Sequence, residues 1–74
     1  MATNNERLAE LDAIMFDLND VRDLTSTDKP AASKLHLTCF ARFIAISGGN
    51  AQVCEMLDTV GAELNRSYAR IASA

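Results

Sequence analysis

One proline and three glycines are all that interrupt the 74 residues of this chain, and tryptophan is absent. With 49% hydrophobic residues and so few breakers, the composition excludes a disordered segment and points to an ordered helical protein. Cysteine is scarce too. Cys39 and Cys54 are the only two, neither has a second cysteine at metal-ligand spacing, and two thiols make no disulfide framework. A basic excess is missing: the net charge is −3 and the sequence pI about 4.8. Nucleic-acid binders draw most of their affinity from phosphate contacts, so this balance points away from DNA, RNA and anionic membranes. Long apolar runs are also missing. A run such as Phe43 to Ile46, which none exceeds, is far too short to span a bilayer, and the polar start "MATNNERLAELDA" does not read as a secretory signal. A cytoplasmic protein with reduced thiols is the expectation.

What is present is helical periodicity. Leu8, Leu11, Ile14, Met15, Leu18, Val21 and Leu24 recur at spacings of three and four, which predicts an amphipathic helix over about 5–24, capped by Thr3, Asn4 or Asn5. The segment "TSTDKP" ends it, because Thr25, Ser26 and Thr27 compete for backbone hydrogen bonds. Thr27 or Asp28 caps a second helix over about 30–47, with Pro30 in its first turn, where a missing N–H matters little. This helix is apolar on two sides. Ala32, Leu35, Cys39, Phe43 and Ile46 line one; Leu37, Phe40 and Ile44 line nearly the opposite one, leaving a narrow polar strip of Lys34, Thr38 and Arg42. A third helix, about 50–72, carries Val53, Leu57, Val60, Leu64, Ser67 and Ile71 in a four-three alternation that Tyr68 extends. Gly61 within it implies the close approach of a neighbouring backbone.

The break at Gly48 and Gly49 admits three readings. A helix-turn-helix would use the turn to present Asn50 and Gln52 to bases, but the following helix opens with Glu55 and Asp58, which face phosphates badly. An anion cradle would need a Lys and a Ser or Thr after the glycines, and Asn50, Ala51 and Gln52 stand there. A helical hairpin requires only that one glycine adopt the left-handed conformation and that Asn50 cap the third helix. The predicted fold is therefore all-α: one domain over 1–74, three helices in an up-down-up arrangement with the hairpin at Gly48 and Gly49, completed by dimerisation into a helical bundle. A chain this short makes a small core by itself, and the second apolar side of helix two, with Leu37, Phe40 and Ile44, is the expected dimer interface.

Candidate chemistry is sparse. His36 is the only histidine and has no nucleophile partner at helical spacing. "DLNDVRD" resembles a calcium loop only briefly, since Val21 and Arg22 stand where oxygen ligands belong. No metal, cofactor or catalytic residue is assigned. The face of helix one away from its apolar stripe is more informative. Asp12, Asn19, Asp20 and Asp23 surround Phe16, an aromatic anchor ringed by carboxylates and suited to a protein partner with a basic surface. Phe16 could instead belong to a second packing face, in the core or a dimer. The expected function is a small non-catalytic protein-binding module with a regulatory, inhibitory or adaptor role, of a kind common in phages and other mobile elements. The alternative is a DNA-binding transcriptional regulator using the turn at Gly48 and Gly49.

Overall fold

In the computed structural model, residues 3–48 and 51–74 are described, apart from the side chains of 51–53. Three helices make up the fold: α1 Asn4–Thr25, α2 Lys29–Ile46 and α3 Ala51–Ser73. All three pack on one another, and no strand occurs among the described residues. The starts of α1 and α2 each have a chemical cause. Thr3 caps α1 by accepting from the Glu6 backbone N–H at 3.1 Å, and Asp28 caps α2 by accepting from the Ala31 N–H at 3.2 Å. Between them the hydroxyls of Thr25 and Thr27 donate back to the carbonyls of Val21 and Asp23, at 2.7 and 3.2 Å, and the helix stops. Of the two glycines of the expected hairpin, Gly48 is not the left-handed one. It does not have a positive φ, and α2 ends instead on Ser47, in right-handed conformation, with its N–H bonded to the Ile44 carbonyl. Gly49 and Asn50, the other residues assigned to that turn, lie outside the described residues.

The molecule measures 36 × 17 × 15 Å, a slender shape with room for one apolar seam between the helices. Leu11, Ile14, Leu18 and Val21 from α1, Ala32 and Cys39 from α2, and Val60, Leu64 and Ile71 from α3 fill that seam. Met15, Leu24, Leu35, Phe43, Ile46, Met56 and Leu57 close its edges. The main stripe of each helix thus faces inward as its periodicity demands, Val53 of the third stripe lying outside the described side chains. Burying a Leu, Ile or Val side chain contributes about 1.5–3 kcal/mol, so α1, with four such residues fully inside, anchors the core. Cys39 is buried and Cys54 exposed, and neither is in a disulfide. Burial pushes the Cys39 thiol up, Asp17 adds to that and Arg42 opposes it, so this sulfur serves as a small apolar core group.

Along α2 and α3 the contacts run in opposite numerical order. The Lys29 ammonium donates to the Ala74 carbonyl at 3.0 Å, His36 meets Leu64, and Phe43 meets Gly61. Gly61 faces a ring rather than the backbone expected from the sequence: a Cβ built on it would lie 3.4 Å from Phe43 Cζ. That distance is the near edge of ordinary contact, so alanine fits while a larger residue would displace the ring. Gly61→Ala should therefore raise unfolding free energy by up to about 1 kcal/mol through helix propensity, and Gly61→Leu should lower it. Chemical denaturation of the two variants checks both signs.

Candidate functional site

Two surfaces stand out once the core is closed. The first is the outer face of α1. Asp12, Phe16, Asn19, Asp20 and Asp23 follow one another at spacings that bring them to one side of a helix, and all five are exposed. Phe16 is 70% exposed, so it has no place in the monomer's core. No ion pair ties Asp12, Asp20 or Asp23 to another described residue. An apolar ring inside a set of open carboxylates is the result.

The other carboxylates of α1 are engaged. Glu10 and Asp17, seven residues apart on the edge toward α2, both accept from Arg42: Nε donates to Glu10 and Nη1 to Asp17, the latter at 2.6 Å. The guanidinium is held charged chiefly by its hydrogen bond to Asp17, with Glu10 adding to it against partial burial. This triad clamps α1 to α2. It also offsets part of the charge on that flank of α1, while the carboxylates around Phe16 stay open. The pairing was hidden in the sequence because the partners are 25 and 32 residues apart. The matching signal was a seven-residue acidic spacing on α1 and a lone arginine in the narrow polar strip of α2.

The second surface lies where α2 and α3 meet. Leu37, Phe40 and Ile44, assigned from sequence to a dimer interface, are 66%, 47% and 54% exposed, and Tyr68 of α3 is 65% exposed. Tyr68 does not continue the inward stripe of α3, as the alternation implied. It turns outward beside His36, with ring centroids 6.1 Å apart and planes inclined at 46°. His36, Leu37 and Phe40 with Leu64, Asn65 and Tyr68 line an apolar cleft of about 340 Å³. His36 forms its floor. The ring is buried, and its Nε2 donates to the Leu64 carbonyl at 3.0 Å, an acceptor that requires the hydrogen to sit on Nε2. His36 is thus a buried polar tie between α2 and α3. Its position between the two apolar stripes of α2 foreshadowed this; the cleft and the part of Tyr68 in it had no readable signal.

The basic end of α3 is internally occupied. Arg66 and Arg70 both donate to Glu63, at 2.9 and 3.2 Å. The residues around Gly49 and Asn50 that a DNA-reading turn would use, with the Gln52 side chain, lie outside the described residues. Among the described residues, no group of three or more His, Cys, Asp or Glu side chains is placed to hold a metal, and no helix is long and apolar enough to cross a membrane. Compared with models of known families, with curated proteins and with solved structures, the chain matches none.

Glu63 gives this region a pH dependence. Burial acts to raise its carboxyl, but the hydrogen bonds and charges of Arg66 and Arg70 outweigh burial and hold it below the usual carboxylate range. A carboxyl depressed in the folded state contributes stability above its unfolded value, roughly 4.3, and that contribution is lost as pH falls through the folded value. Glu63→Gln should therefore cost about 1 kcal/mol at neutral pH, with the gap to wild type closing as pH drops below about 4. Thermal melts across pH 3–7 read the difference directly.

Proposed function

We propose that this chain is a small non-catalytic protein-binding module, working in the cytoplasm as a regulatory, inhibitory or adaptor protein. In this reading the three helices run up-down-up, a second copy completes the bundle by covering the uncharged apolar face of α2, and the acidic face of α1 receives a protein partner with a basic surface. One observation carries the reading. Among the described residues, a bundle this small leaves five large apolar side chains outside its core, one on α1 and the other four together along α2 and α3. Exposed apolar groups clustered in this way are characteristic of interaction surfaces. The opposite numerical order of the α2–α3 contacts supports the up-down-up connection.

The α1 face has the anatomy of a docking patch. Phe16 is the anchor, Asp12, Asp20 and Asp23 form its rim, and Asn19 adds a neutral hydrogen-bonding group. Rim carboxylates act at a distance and steer a basic partner, while the aromatic ring supplies contact energy on arrival. The division predicts different signatures for two variants. Phe16→Ala should weaken partner binding by about 2 kcal/mol or more and change folding stability by less than about 0.5 kcal/mol, because the ring is exposed. Asp20→Lys should mainly slow association and flatten its salt dependence. Affinity capture from host lysate with wild type and Phe16→Ala side by side, alongside circular dichroism melts, is the test. Proteins retained equally by both, or a large loss of melting temperature, would remove Phe16 from this role.

A further inference from the structure

Charge decides which of the two faces can meet a copy of itself. A two-fold axis brings a patch onto its own equivalent. If the axis passed through Phe16, antiparallel α1 helices would set Asp12 of each copy against Asp20 of the other, carboxylate facing carboxylate. The face on α2 has no such conflict, because α2 contains no carboxylate and the apolar row carries no charge. Its residue sizes also match under inversion. Leu37, Phe40, Ala41 and Ile44 are symmetric about the point midway between Phe40 and Ala41, and all four are exposed. Reversing the helix about that point sets Leu37 against Ile44 and the large Phe40 against the small Ala41. Further out, Lys34 falls opposite Ser47, so no like charges meet, and Ser33 falls opposite Gly48, which has open space around it.

We infer that two copies of this chain pair through antiparallel α2 helices on a two-fold axis between Phe40 and Ala41, Ile44 of each meeting Leu37 of the other at the mouth of the His36–Tyr68 cleft. This rests on the reading of the chain as self-associating and specifies the geometry. The area is sufficient for a reversible dimer. Taking roughly 200 Å² for a large side chain, the exposed fractions of Leu37, Phe40, Ile44 and Tyr68 leave about 450 Å² of open apolar surface on each copy. Two such faces, with Ala41 and Asn65 at their margins, bring the buried total close to the ~1,000 Å² that marks a specific contact.

The test is a charge pair at the axis. Ala41 is exposed, and both glutamate and lysine are good helix formers, so Ala41→Glu and Ala41→Lys should keep the fold, with melts by circular dichroism as the control. Sedimentation equilibrium should give wild type a mass of twice 8.0 kDa at micromolar concentration. Each variant alone should dissociate at least about 100-fold more readily, and an equimolar mixture of the two should return to the dimer mass. Wild type remaining at the monomer mass across that range would remove self-association altogether. A dimer that withstands Ala41→Glu, a mixture that fails to recover, or a mass that climbs with concentration beyond two copies would overturn this geometry while leaving self-association in place.

Discussion

Burial of one stripe on α1 is the constraint on which the rest of the molecule depends. Leu11, Ile14, Leu18 and Val21 are withdrawn from water almost completely, and among the described residues no helix contributes more side chains to the seam. A core this narrow has no second layer, so whichever face of a helix is not in the seam is at the surface. That geometry puts Phe16 outside, because it lies away from the stripe, and it puts Leu37, Phe40 and Ile44 outside, because α2 can turn only one of its two apolar sides inward. The exposed apolar groups follow from placing an apolar-rich chain around a single seam.

Polar ties then set how the helices sit against that seam. Arg42 holds α1 to α2 through Glu10 and Asp17, and His36 holds α2 to α3 through the Leu64 carbonyl. The two ties differ in kind. The arginine triad is about one-third exposed, so its contribution to stability is modest and falls with salt. The histidine bond is inside, where an unmatched carbonyl or ring nitrogen would be expensive. α2 is thus joined to one neighbour by an adjustable contact and to the other by a demanding one.

Most of this architecture could be read from local periodicity, because in a short helical protein the core stripe is the sequence stripe. The inward residues of α1, the two-sided nature of α2 and the caps at Thr3 and Asp28 were all legible, and the helix ends fall within a residue or two of expectation. What stayed hidden depends on relations between helices. The spacing of Glu10 and Asp17 hints at a shared partner without naming Arg42, and nothing along the chain turns Tyr68 outward over His36 or makes the neighbour of Gly61 a ring instead of a backbone. The exposure of Phe16 lies between these cases: its position off the stripe was plain, but only the packed bundle distinguishes an outer face from a second inner one.

The missing carboxylates on α2 also bear on how the chain folds. Its first turn holds Lys29 and no acidic residue, the reverse of what a helix dipole favours, and Asp28 is the one acidic group at that end. An isolated 29–46 segment therefore gains little from its own ends, and its helicity has to come from docking. Until α2 docks on α1 and α3, both of its apolar sides face water, which makes the half-folded chain its most adhesive form. Fast closure is the safeguard, and a three-helix chain with short connections and mostly local contacts is the kind of topology that closes in microseconds to milliseconds.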